Sequence, residues 1–506
     1  MTYLVTGVLI ATDAALVAAA SVVVVWLVYS QSRTPRALVV VGLLLPLVSL
    51  VRWLPTSFVL GGRAVYFSDL LLPLGTGLVV LDRLSRSPTP PQRPLGWPLV
   101  LLSASVCGGV VLGLLGGAGT SMVLRDLRGP LYLILAFVVT ALTYRDADGH
   151  RVVVTIAGVC WAAATLIAVE SMGVADVLSG RVETAERVQA GASSLDAARF
   201  LVAPKDLAIL VLCVTVVFVL RGFPFDRRHR FLLALTAPAA MVVFFGFSRR
   251  AVLALLVAVA FAFMVSSTSR LVVRLLVLVL VSVAVVVLGS SSFLPQTPGS
   301  YLLRQVNAFS ERVVGGLSGS ARSEDLGIAW RELENDYALD AARRAPVIGQ
   351  GLGATFRPPV RGEPFDPGDR DFGRTYVHNL YLWLAVKLGL VGLGGYCLFV
   401  LAPVVAVVRR ARRLPAERSG VVLGIAAGVL GIAAVNFVAP VSNEPATAVV
   451  LGCALGFLHV QGRRGRPRPE HSSDEIDLRS TAEAGFPWAS RDLVVDDGLA
   501  RASPEK

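Results

Sequence analysis

Apolar stretches of membrane length alternate along the chain with short, arginine-bearing breaks, and one polar interval is far longer than the others. About 20 apolar residues cross the roughly 30 Å hydrocarbon core as a helix, and a spanning helix satisfies its own backbone. Candidate spans fall at about 4–28, 37–51, 65–81, 97–117, 129–143, 151–169, 203–220, 231–247, 251–267, 272–288, 378–408, 420–438 and 446–460. The pattern predicts an all-α fold, a polytopic transmembrane helix bundle of about 12–13 spans. The first run lacks a basic leader and a small-residue cleavage site, so it reads as a span.

The long polar interval divides the chain. Residues 1–289 read as transmembrane helices with short loops, 290–377 as one large extracytoplasmic loop, and 378–461 as C-terminal transmembrane helices. Residues 462–506, rich in mixed charge, Ser and Pro, read as a disordered cytoplasmic tail. Within the loop, Leu326, Ala329, Trp330, Leu333, Tyr337 and Ala341 recur at helical spacing, which predicts an amphipathic helix over Ser323–Ala342 lying at the membrane surface. A turn follows at Ala345–Gly353, then a Pro/Gly/Asp-rich stretch to Gly373 that reads as loop. The turn lacks the Gly-Lys-Ser/Thr ending and the preceding strand of a phosphate loop.

Composition agrees with a membrane bundle: 55% hydrophobic residues, 16% charged and a mean hydropathy of +0.68. The net charge of +12 does not point to nucleic acid, because the arginines sit in alternate short breaks between spans. Arg33/Arg36, Arg83/Arg86/Arg93, Arg145/Arg151, Arg221 to Arg230, Arg270/Arg274, Arg409 to Arg413 and Arg463 to Arg468 form the series. The positive-inside bias puts these in the cytoplasm and the loops 171–202 and 290–377 outside. The five cysteines all lie in apolar runs without pairing or metal spacing, so they read as packing residues. No cofactor or metal is expected. No inverted pair of broken helices stands out, which counts against a secondary transporter.

Two polar features fall on the predicted outer face. Residues 231–267 are apolar except at Ser248-Arg249-Arg250, and about 37 residues are too many for one span, so these three residues tip a helical hairpin. Arginines outside run against the orientation bias, which favours an anion site there over simple snorkelling. Of the five histidines, His150, His229, His459 and His471 fall on the cytoplasmic side, leaving His378 outside, where the long loop re-enters the membrane. Imidazoles titrate near neutral pH and suit proton removal from a hydroxyl.

His378-Asn379, then nine residues, Gly389, two residues, Gly392-Leu393-Gly394 resembles the His-Asn-x9-Gly-x-x-Gly-Thr-Gly pattern of the O-antigen ligase and polymerase family. Ser248-Arg249-Arg250-Ala251 is similar to that family's Ser-Arg-Gly/Arg-Ala hairpin, and Pro346 to Gly353 to its Pro-Leu-Leu-Gly-x-Gly-x-Gly turn. Arg199 to Ala208 resembles an Arg…Pro-Asn-x-x-Ala segment, with Lys205 in place of Asn. Lys387 stands where many members carry Glu, and the gap from Arg322 to Trp330 is longer than usual. The resemblance implies metal-independent glycan transfer from a polyprenyl diphosphate donor to an acceptor hydroxyl, outside the bacterial cytoplasmic membrane. It implies a general base at His378 and diphosphate-binding arginines among Arg249, Arg250 and Arg322. Asn379, Arg304, Arg312 and Arg199 are the further substrate-binding candidates. Partners would be the lipid-linked donor, a glycan or lipid acceptor, membrane lipids and other polysaccharide assembly proteins, with no nucleic acid. Polymerase and ligase both stay open, beside two other classes: a transporter or flippase of lipid-linked or anionic solutes, and a non-catalytic assembly partner.

Overall fold

The computed structural model describes residues 43, 44, 46, 57–60, 63–86, 96–144, 149–171, 181–184, 198–221, 230–265, 305, 309, 326–358, 372–411 and 416–463. The spans expected at 4–28 and 272–288, most of 37–51, Arg304, Arg312, Arg322 and the tail beyond 463 lie outside them. The chain clusters into two units, Met1–Gly462 and Arg463–Lys506, and the account below concerns the first.

Twelve α-helices are described: α1 (Phe67–Arg86), α2 (Trp97–Leu115), α3 (Thr120–Thr143), α4 (Gly149–Ser171), α5 (Lys205–Arg221), α6 (Arg230–Phe245), α7 (Arg249–Val265), α8 (Leu326–Arg344), the single turn α9 (Phe372–Thr375), α10 (Leu380–Ala411), α11 (Ala416–Val435) and α12 (Pro445–Arg463). Three of them, α2, α10 and α12, are long and apolar enough to cross a membrane. Shorter apolar stretches lie at Phe67–Leu81, Thr155–Glu170, Leu235–Phe245 and Ser419–Val435. The protein is a helical membrane protein.

The framework is helical, but two short antiparallel strand pairs qualify the all-α expectation. β1 (Ser57–Leu60) pairs with β2 (Arg63–Tyr66), and β3 (Arg181–Thr184) with β4 (Ala198–Leu201). Strands of four residues are too short for a period-2 signal to emerge between helical runs. A second difference concerns α3, which begins at Thr120 and draws Arg125, Asp126 and Arg128 into the helix. Each is satisfied there: Arg128 forks onto Asp69 at 2.9 and 2.8 Å, Arg125 donates to Thr375 at 2.7 Å, and Asp126 is buried against Lys387. Pairing removes the cost of charge that made the segment look like a loop.

Small residues set the helix contacts. α11 lies against α5 and α7, with Gly424 and Gly428 over Val214 and Leu210 and Gly431 over Ala254. Gly452 and Gly456 bring α12 onto Leu133, Ala136, Phe137 and Thr140 of α3. Where lipid is as apolar as the helix, such close approach supplies the dispersion that holds spans together. α6 and α7 both pack on α5, and their linker turns through Phe247, a buried residue at φ 44°.

The starts of α5, α7, α10 and α12 share one end of the bundle. Glu444, just before α12, pairs with Lys205 of α5 and Arg250 of α7, while the Leu380 N–H of α10 donates to the Asn436 carbonyl at the end of α11. At the opposite end, Arg410 of α10 donates to the Gln461 carbonyl of α12 at 2.7 Å.

Candidate functional site

The site begins on α8. That helix packs on α10, and from Trp330 onward its buried residues are Glu334, Ala338 and Ala341. Leu333, expected on the inner stripe, is 39% exposed, so the helix is rotated from the predicted amphipathic face. A carboxylate in the middle of an inward stripe is costly unless it is paired. Glu334 has two side-chain partners: Arg357 Nη1 donates to Oε1 at 3.3 Å, and His378 Nδ1 lies 2.6 Å from Oε2. The His378 backbone N–H also donates to Oε2, at 3.2 Å. Arg357 lies 5.0 Å over the Trp330 ring, and the Phe356 and Arg357 amides donate to the Arg374 carbonyl.

The side chains of Glu334 and Arg357 are fully buried, whereas His378 is 30% exposed. That gradient decides what the group can do. An ionised carboxylate only accepts, so Nδ1 of His378 carries the proton and Nε2 the basic lone pair. The ring is fixed from behind by Glu334 and from the side by Tyr376, whose ring meets it edge-on at 4.9 Å. Burial, then the charges of Glu444 and Glu334, push the Tyr376 phenol above its ordinary range, opposed by Arg250 and Arg331.

Asn379 follows at the start of α10. Its Oδ1 accepts from the Tyr381 and Leu382 amides at 3.0 and 3.2 Å, the geometry of a helix N-cap. The cap gives Asn379 a structural role in holding its neighbour His378 at the helix start.

Pro346 to Ile348 of the glycine turn are exposed, whereas Gly349 and Gly351 to Gly353 are buried. Gly349, Gly351 and Gly353 all have positive φ, and the turn passes between α2 and a break in α10 at Gly389 (φ 66°, ψ −170°). Gln350 and Gly351 amides donate to the Val386 and Lys387 carbonyls, and the Leu390 and Val391 amides donate back to Pro346 and Val347. Leu352 N–H donates to Gly109 of α2. Broken backbone in an apolar region is tolerated when other protein backbone completes it, as here. A Cβ at Gly389 would lie 2.2 Å from the Val347 carbonyl oxygen, so Gly389 shapes a break and not a helix contact. Gly394 has open space around it, and the contact on α2 is made by Gly395 instead.

Lys387 is sealed beneath this turn. It pairs with Asp126 of α3 at 2.8 Å, donates to the Ala354 carbonyl at 2.6 Å, and Asp126 also accepts the Gly353 N–H at 2.8 Å. Lys387 thus joins α3, α10 and the turn.

Of the other expected residues, Arg250 lies at the start of α7, 3.8 Å from Glu444, while Lys205 approaches the same carboxylate at 3.3 Å. Arg249 is the first residue of α7. Arg199 lies in β4, in register with Glu183 of β3. Arg304, Arg312 and Arg322 are outside the described residues.

Glu334, Arg357, Asp126 and Glu444 were not anticipated. Glu334 had a readable signal: it occupies the 330, 334, 338, 341 stripe, where a charge among inward positions calls for a partner. Arg357, Asp126 and Glu444 gain meaning only from partners distant in sequence.

Residues 234–397 match the O-antigen ligase family. The matched stretch runs from α6 into α10, so it holds Ser248 to Arg250, Glu334, Arg357, the glycine turn and His378. It leaves out Asp126, Lys205 and Glu444. No curated protein matches the chain. The O-antigen ligase match covers about a third of the chain and supports a role in cell-surface polysaccharide biosynthesis.

Proposed function

We propose that the protein is a glycosyltransferase of cell-surface polysaccharide assembly, moving a glycan from a polyprenyl diphosphate to an acceptor hydroxyl outside the bacterial cytoplasmic membrane. The observation that carries this is the partly exposed His378 backed by the buried Glu334–Arg357 pair. Nε2 of His378 takes the acceptor proton as the hydroxyl oxygen attacks the anomeric carbon. The carbon–oxygen bond to the diphosphate breaks, and its electron pair leaves with the lipid diphosphate. The resulting imidazolium is stabilised by Glu334 until it passes its proton on. General-base catalysis of this kind contributes roughly 10²–10⁴-fold. Arg250, with Arg249 and the loop arginine Arg322, would neutralise the leaving diphosphate, because guanidinium forks match phosphate oxygens. Arg304, Arg312 and Arg199 remain candidates for holding the glycan or its diphosphate.

The test is His378→Ala in the native host, reading extracellular polymer and accumulated lipid-linked precursor. Loss of polymer with precursor build-up is expected; undiminished polymer overturns the assignment. Arg250→Lys keeps charge but loses the fork, and a strong fall in turnover is expected. Orientation is checked by labelling Asp366→Cys with an impermeant thiol reagent, which should react from outside intact cells.

A further inference from the structure

Resting on that reading of Arg250, we propose that Glu444 is a built-in counter-ion, which holds Lys205 and Arg250 in place for a diphosphate-class anion and is displaced when that anion binds. The carboxylate bridges the two bases with separate oxygens, Oε2 to Lys205 at 3.3 Å and Oε1 to Arg250 at 3.8 Å. It therefore occupies the position between two cations that a bridging oxyanion would take.

Exposure shows which partner is able to leave. The Glu444 side chain is 45% exposed, against 14% for Lys205 and 22% for Arg250, so the cations are held by the bundle and the anion lies on the open side. Glu444 follows a short 3₁₀ turn, Val441–Asn443, and directly precedes α12, so its side chain can swing without moving a helix. The same place receives the starts of α5 and α7, whose N-terminal dipoles favour negative charge.

The competition is uneven by chemistry. A carboxylate brings one negative charge at loose distances, whereas a diphosphate brings more charge and more oxygens and takes guanidinium bidentately. An anion with a single charge, such as an acidic sugar, gains little by replacing Glu444. The counter-ion would thus discriminate for diphosphate while sparing Lys205 and Arg250 from sitting unpaired between turnovers.

The test uses the full-length protein in detergent, with the rise in thermal-unfolding midpoint read against pyrophosphate or farnesyl diphosphate concentration. Glu444→Gln removes the competing charge at nearly constant shape, and Glu444→Ala is the second variant should the amide find the same bonds. Either should reach its half-maximal shift at about fivefold lower probe concentration, the size expected for releasing a part-exposed ion pair. A gain with both probes shows that the diphosphate alone is recognised; a gain with farnesyl diphosphate only shows that the lipid is needed too. Half-points unchanged or raised for both probes in both variants overturn the proposal. Repeating the titration in His378→Ala separates the two readings, since probe binding there does not depend on His378 acting as a base.

Discussion

Two pairs anchor the first part of α10, His378 just before it to Glu334 of α8 and Lys387 within it to Asp126 of α3. At His378 the pair with Glu334 is backed by Arg357 and opens to the surface through a ring 30% exposed. Nine positions on, Lys387 and Asp126 are 0% and 7% exposed, with the glycine turn closing over them. Each pair joins a buried carboxylate to a nitrogen donor, but only the first presents a titratable atom to the outside. The comparison teaches that a buried ion pair by itself does not mark an active centre; the gradient of exposure along it does.

The comparison can be broken most severely at Glu334. Glu334→Gln keeps shape but lets Nδ1 of His378 lose its proton preference, and a fall in kcat of about 10²-fold or more is expected with KM little changed. An unaltered kcat in donor-turnover assays would make Glu334 a packing residue only. Next, Lys387→Met alone strands Asp126 and should cost about 3–5 kcal/mol of stability. Adding Asp126→Leu should recover most of it, and polymer formation with it, because apolar residues can replace a sealed pair. Arg357→Met with Glu334→Leu, read in the same unfolding and polymer assays, should recover stability but not activity. Equal behaviour of the two double variants would erase the distinction.

Gly389→Ala probes the link between the pairs. Positive φ and the nearby Val347 carbonyl predict a loss of about 1–3 kcal/mol, visible as a lower unfolding midpoint. The smallest effect is at Asn379, where Ala should cost about 1 kcal/mol and Ser, which also caps, much less. If Asn379→Ser restores stability but leaves turnover low, the side chain touches substrate as well.

Much of the framework was legible in the sequence because lipid imposes long apolar runs. The helices at 97–115 and 445–463 fall within a few residues of their expected ranges. The break between α6 and α7 at Ser248 and the start of α10 just after His378 were readable for the same reason: each bounds such a run. What escaped was pairing. Asp126 looked like part of a polar tip until Lys387 met it, and Leu333 outranked Glu334 because hydropathy cannot know that Arg357 arrives from the other side. Four-residue strands carry too little period to be seen.

The break at Gly389 also sets an order of assembly. The turn that fills it, residues 346–352, leaves the ribosome before α10 does, yet its hydrogen bonds are to Val386, Lys387 and Leu390 of α10 and to Gly109 of α2. It must therefore wait until α10 has been inserted and has come alongside α2. Glu334, on the helix that leads into that turn, reaches His378 only then. The pairing of Glu334 with His378 would thus be one of the last events of maturation.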